Sequence, residues 1–124
     1  MSRKQSELSS FRNALAGIAH ALRTEPHMRF HFGAGIAAFA AAALLRLPGG
    51  DWLWLLAAVA AVWTAELFNT AIERTVDLAS PERHELAKAA KDAASGAVLV
   101  ASLFAAAVGL IVLGPPLWLA VFGS

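Results

Sequence analysis

Cysteine is missing from this 124-residue sequence. Disulfides, iron–sulfur clusters and thiolate zinc sites are thereby excluded, and the redox compartment leaves no mark on the chain. Neither a G-x-x-x-x-G-K-(S/T) stretch nor a glycine-rich kinase loop occurs, and no alternating strand pattern could carry either one. Charge is scarce, at 15% Asp, Glu, Lys and Arg, and unevenly placed: nine of the ten Lys/Arg residues lie in 1–29 or 74–91, with Arg46 the exception. The polar N-terminus has no early apolar run or small-residue cleavage site, so a signal peptide is not expected. His20, His27, His31 and His84 are not spaced as zinc ligands and read as interfacial polar contacts.

What fills the chain instead is apolar. Such residues make up 58% before glycine is counted, whereas soluble domains reach about 45–50% with glycine included. The length allows one domain, 1–124. Three apolar runs predict membrane helices over 28–47, 52–79 and 82–113, each near the short end of the roughly 17–25 apolar residues that a bilayer requires. The first is alanine-rich, a surface on which membrane helices approach closely. Leu47-Pro48-Gly49-Gly50-Asp51 predicts a compact turn, Ser80 before Pro81 an N-cap, and Gly114-Pro115-Pro116 a stop ahead of the short apolar tail Leu117 to Phe122. Ahead of these spans, Leu8, Phe11, Leu15, Ile18 and Leu22 recur every three or four residues opposite Arg12, Asn13, His20 and Arg23. That pattern predicts an amphipathic helix lying on the membrane surface over 1–24. It ends at Glu25, which Pro26 steers away from the α region. The fold class expected is an all-α membrane protein with one surface helix and three transmembrane helices; the alternative is a soluble three-helix core. Trp52, Trp54, Trp63 and Trp118 fit interfacial anchors, although Trp63 could instead pack within the bundle. The basic segments place the N-terminal region and 74–92 in the cytoplasm.

Against this background, Glu66, Asn69, Glu73 and Asp77 stand out. They close a stretch whose first fourteen residues, Trp52 to Ala65, are broken only by Thr64. At 100° per residue the other three lie at about −60°, −20° and +20° from Glu66, one narrow stripe. An intramembrane carboxylate costs roughly 2.5–3.5 kcal/mol on insertion scales and normally faces a cavity or a partner. On the third helix His84, Lys88, Lys91, Asp92 and Ser95 share an arc of about 100°. Carboxylates and an amide oxygen suit Mg²⁺ bound together with substrate phosphates, lysines neutralise phosphates, and a carboxylate free of metal can take a proton from a hydroxyl. These are the parts of a phosphoryl-transfer site. A solvated helix end laced with ion pairs, such as Glu73 and Asp77 against Arg74 and Lys88, is the plainer reading; it suits Arg74, Arg83 and Glu85 but explains Glu66 poorly.

Glu66-x-x-Asn69-Thr70-Ala71-Ile72-Glu73-x-x-x-Asp77, then Ser80-Pro81-Glu82-x-His84 and Ala87-Lys88-x-Ala90-Lys91-Asp92-x-x-Ser95-x-Ala97-Val98, resembles the prokaryotic diacylglycerol kinase and undecaprenol kinase family. Phe11-x-x-Ala14-x-x-Gly17 and Glu25-x-x-x-Arg29 extend the resemblance over most of the chain. It implies a homotrimer in the bacterial inner membrane, with active sites shared between subunits and facing the cytoplasm. It also implies transfer of the γ-phosphate of MgATP to a lipid alcohol, among membrane lipids and with no nucleic-acid partner. Carried over residue by residue, it makes Glu66 the general base and Glu25 and Glu73 the Mg²⁺ ligands. Asn69 would orient metal or phosphates, Lys91 would contact phosphates, and Asp77 and Asp92 would hold the nucleotide, with Arg29 and Ser95 supporting the substrate. His31 replaces a glutamate of the enterobacterial branch. Arg29-Phe30-His31, Ser80-Pro81-Glu82 and Ala87-Lys88 are closer to the undecaprenol kinase branch, so undecaprenol is the expected substrate and diacylglycerol the alternative. Without the resemblance, buried carboxylates would equally permit a non-catalytic cation pathway.

Overall fold

Pro26 sets the first corner. The computed structural model describes residues 3–123, and helix α1, Arg3–Thr24, runs up to Glu25, whose φ of −116° and ψ of 110° are the extended values that a following proline imposes. Helix α2, Pro26–Leu44, then begins on the proline itself. It starts two residues before the sequence expectation because the first helical position needs no N–H donor. Arg29 closes the corner, its Nη1 donating to the carbonyls of Leu22 and Arg23 at 3.0 Å each. These carbonyls end α1 without helical partners, so a cation suits them.

The α2 C-terminus winds into a Schellman turn. Leu47 N–H donates to Ala42 O at 3.1 Å and Arg46 N–H to Ala43 O at 3.2 Å, with Arg46 in the left-handed region at φ 54°. Helix α2 therefore ends at Leu44, three residues short of the expected 47. An L side chain there costs about 1–2 kcal/mol. Arg46→Gly is therefore expected to match or exceed the parent in thermal stability, while Arg46→Val should fall about 1–2 kcal/mol below the glycine variant. Equal melting midpoints for the two in detergent would refute this.

Gly49 and Gly50, expected in the turn, form the first turn of α3, Gly49–Ala79, with Pro48 extended at its N-cap and Asp51 beside the N-terminal dipole. The next correction concerns the connection to α4. Ser80 caps the end of α3, its N–H donating to Val76 O at 2.7 Å, rather than starting a helix at 82. Helix α4, Glu85–Val112, starts three residues later, because the ring of His84 accepts from Leu86 N–H at 3.0 Å and is the N-cap. The tail after Leu113 is a short helix, α5, Gly114–Phe122, with prolines in its first turn.

Helices α3 and α4 form an antiparallel hairpin joined through residues 80–84: Asp77 meets Lys91 near this connection, and Leu55 and Ala58 pack with Val108 and Val112 at the opposite end. Helix α2 lies antiparallel on α3 through a ladder of contacts. Phe39 stacks on Trp52 at 5.9 Å, Ala42 joins the Leu55 cluster, and Phe32 stacks on Trp63 at 4.7 Å. Gly35 makes this approach possible, since a Cβ there would come within 2.8 Å of Val59 Cγ1 and 2.9 Å of Trp63 Cζ2. Trp63 thus packs within the bundle.

Among the described residues, α3 and α4 are the two helices long and apolar enough to cross a membrane. At 1.5 Å per residue they measure roughly 46 Å and 42 Å, more than the bilayer core. Helix α2 has 19 residues but begins with His27, Arg29 and His31, which lower its apolar content. On α1 the apolar strip is covered only toward its end: Ala21 is buried, whereas Leu8, Phe11 and Leu15 are each more than half exposed.

Candidate active site

The stripe on α3 grades from dry to wet as the helix runs out of the apolar bundle. Glu66 is 3% exposed, Glu73 is half-buried and Asp77 is exposed. Helical periodicity puts them on one side, and each meets a different neighbour because α3 is crossed by different elements along its length.

Glu66 faces α2. Its Oε1 lies 3.3 Å from His31 Nε2, off the line of a hydrogen bond, and is otherwise unpartnered among the described residues. One turn on, the buried Oδ1 of Asn69 is likewise without a hydrogen-bond partner, while Asn69 Nδ2 donates to Glu73 Oε1 at 3.4 Å. Thr70, also buried, turns inward, its hydroxyl donating to Glu66 O at 3.0 Å. Two orphaned oxygens on successive turns are unusual in a bundle, since buried polar atoms normally find partners.

Beside the α3–α4 connection Lys91 Nζ donates to Asp77 Oδ1 at 2.5 Å, joining α4 to α3. Lys88 pairs with Asp92 at 2.6 Å along one face of α4. These side chains, with Arg83 and His84, line a polar cavity of about 640 Å³ at the α3–α4 connection. Ser95, one turn deeper than Asp92, is exposed.

Glu25 is brought to α3 by the α1–α2 corner. Its Oε1 accepts from Arg74 Nη2 at 2.6 Å, and Thr24 Oγ1 from the same nitrogen at 3.2 Å. Arg74 therefore does not pair with Glu73 and Asp77 as the sequence suggested. It lies about 100° round the helix from Glu73, toward α1. Nor does Lys88 pair with that stripe; Lys91 takes that place. Arg29, expected to support substrate, holds the α1 carbonyls described above.

Three contributors had escaped the sequence reading: His31 as the neighbour of Glu66, Arg74 as the partner of Glu25, and Trp63, whose Nε1 donates to His31 O at 3.0 Å. A signal for the first was available, since a buried carboxylate calls for a partner and His31 is the last titratable residue before the apolar stretch 32–44 of α2.

Among the described residues no three His, Asp or Glu side chains converge closely enough to hold a metal unaided. Mg²⁺, however, keeps several waters and binds through one or two carboxylates plus phosphates. Glu73 with the orphaned Asn69 Oδ1 beside it offers hard oxygen donors of that kind, so these residues fit the ion.

Comparison with known proteins matches residues 12–113 to the prokaryotic diacylglycerol kinase family profile. The undecaprenol kinase of Bacillus subtilis is 41% identical over 108 residues, covering 87% of this chain and 88% of that protein. The diacylglycerol kinase of Synechocystis is 45% identical over 111 residues, covering 89% of this chain but 63% of that longer protein. The diacylglycerol kinase of Pseudomonas aeruginosa is 39% identical over 88 residues, 71% of this chain and 72% of its own length.

Proposed function

The chain belongs to the prokaryotic diacylglycerol kinase family of lipid kinases, and from that premise we propose that it phosphorylates undecaprenol with MgATP at the cytoplasmic face of the bacterial inner membrane. The observation that carries the catalytic part of this reading is Glu66, a carboxylate 3% exposed with one oxygen lacking a hydrogen bond. A carboxylate kept dry and free of a cation is suited to accept a proton at the moment of attack.

In this reading Glu66 takes the proton of the lipid hydroxyl as its oxygen attacks the γ-phosphorus. Mg²⁺, when bound, would supply neutralisation of the phosphates and of the charge developing on the leaving oxygen. Glu73 and Glu25 would hold it, Glu25 being paired with Arg74 in its absence, and Asn69 Oδ1 would orient ion or phosphate. Lys91 contacts the phosphates, and Asp77 and Asp92 position it and the nucleotide at the polar cavity, whose size lies in the range of ligand sites. The depth of Glu66 relative to that cavity supports a lipid alcohol entering from the bilayer while the nucleotide enters from water. Arg29 acts by fixing the corner that carries Glu25, and Ser95 lines the α4 side.

Helix α2 serves as a third span, its length of 19 residues and the all-round apolar surface of 32–44 suiting lipid or a neighbouring helix. Helix α1 lies at the interface with Leu8, Phe11 and Leu15 in the acyl boundary. A homotrimer with shared sites is supported by the many large apolar residues exposed on α2 to α4, among them Leu99, Leu103 and Ile111. The chain forms a single domain, with cytoplasmic orientation following the basic segments.

Undecaprenol is preferred over diacylglycerol because the relative matched over nearly its full length carries that activity. Purified protein in detergent micelles with MgATP, offered the two alcohols side by side, should favour undecaprenol by about 10-fold or more in kcat/KM. Equal or reversed preference would overturn the substrate reading, and turnover of neither would overturn the site.

A further inference from the structure

A base sealed from water has to lose its proton after each turnover, and the exit route is visible in the neighbours of Glu66. The titratable neighbour it has among the described residues is His31, with Nε2 at 3.3 Å. The carboxylate is 3% exposed and the His31 side chain 21%, so the imidazole bridges from the dry interior toward the outside. Its position is held on several sides. His31 O accepts from Trp63 Nε1 at 3.0 Å, Trp63 stacks on Phe32, and the ring of Phe30 meets the imidazole edge-on at 5.3 Å. A histidine that merely filled space would not need its ring nitrogen beside an orphaned carboxylate oxygen.

We propose that His31 is a positioning residue that acts through Glu66, receiving on Nε2 the proton that Glu66 takes from the lipid hydroxyl. This rests on Glu66 being the base. The alcohol oxygen bonds to the γ-phosphorus as the bond from that phosphorus to the bridging oxygen breaks, its electron pair leaving with ADP. The hydroxyl proton passes to the Glu66 carboxylate and on to the lone pair of neutral His31 at Nε2. The resulting imidazolium releases its Nδ1 proton to water, so lipid alcohol and ATP become lipid phosphate, ADP and one proton, with Glu66 again ionised. Histidine suits the task because its charge changes near neutral pH.

The test compares His31→Ala and His31→Gln with the parent protein in micelles, with and without added imidazole. Both variants should lose about 10-fold or more in kcat, with KM for ATP unchanged. Imidazole should restore His31→Ala, since the apolar cleft of about 320 Å³ beneath His31 leaves room for it, and should not restore His31→Gln, whose site is filled. A glutamine variant as active as the parent would reduce His31 to a hydrogen-bonding support and overturn the proposal, as would alanine-variant activity within about twofold of the parent or failure of imidazole to act. Retained oligomer size and ATP KM separate these outcomes from misfolding. Glu66→Gln run in parallel keeps the two ideas apart: an active Glu66→Gln removes the base reading itself, whereas an inactive one beside a parent-like His31→Ala removes only the role of His31.

Discussion

Replacing Glu66 by glutamine is expected to lower kcat by about 10²–10⁴-fold, the usual contribution of a positioned general base, while the protein becomes no less stable. The two expectations have one cause. Glutamine fills the same volume and can still bond across the α2–α3 interface, so packing is preserved. It cannot take a proton from the lipid hydroxyl, so the attacking oxygen has no acceptor. At the same time it removes a carboxylate that is 3% exposed and incompletely paired. Burying such a charge is costly, and its neutralisation should raise the unfolding free energy by an amount on the order of 1 kcal/mol, read as a higher thermal midpoint. Steady-state kinetics with KM for ATP as an internal check, together with melting in detergent, measure both. Near-normal turnover removes Glu66 from the role of base. Lost activity accompanied by a large loss of stability shows instead that the carboxylate is structural.

Gly35→Leu is expected to separate α2 from α3 and abolish both stable folding and activity, and Gly35→Ala to show the same effect in milder form. A Cβ at Gly35 meets Val59 Cγ1 at 2.8 Å and Trp63 at 2.9 and 3.2 Å, below or near the closest approach of real carbon atoms. Val59 can rotate, but Trp63 is held by its hydrogen bond to His31 O and its stacking on Phe32. Overpacking of this kind costs about 1–3 kcal/mol for a single methyl, and membrane helices depend on such close approach for association. Moving Trp63 also displaces His31 from Glu66, so activity should fall further than the stability loss alone requires. Val59→Ala in the Gly35→Ala background should recover part of the loss, a non-additive pair as expected of residues in contact. Strict additivity, or a Gly35→Leu protein with parent-like melting and turnover, would show that the crossing is looser than the geometry indicates.

The architecture was legible because bilayer and helix each impose a strong rule. A run of apolar residues long enough to span, broken by Pro48, Pro81 and the Gly114–Pro116 stop, announces helices whatever their neighbours do. Boundaries were less legible where local chemistry competes. Ser80 and His84 both can cap a helix, and Pro81 favoured the first on sequence grounds, yet the ring of His84 accepts the Leu86 N–H and Ser80 ends α3. Gly49 and Gly50 look like turn residues but are tolerated in the first turn of α3 because extended Pro48 and the acidic Asp51 suit a helix N-terminus there.

For the site, periodicity alone put Glu66, Asn69, Glu73 and Asp77 on one face of α3 and grouped Lys91 with Lys88, Asp92 and Ser95 on one face of α4, since the angle between residues of one helix is fixed at 100° per step. Family resemblance added Glu25. What the sequence could not decide is which side chains meet across helices. That Glu66 reaches His31, that Arg74 takes Glu25 rather than Glu73, and that Arg29 turns back to the α1 carbonyls depend on how far apart and at what height the helices cross. Those distances are set by Gly35 against Val59 and Trp63 and by the tight corner at Glu25 and Pro26, contacts between residues far apart in the chain. The helical repeat fixes a residue's bearing on its own axis; only packing fixes what lies opposite.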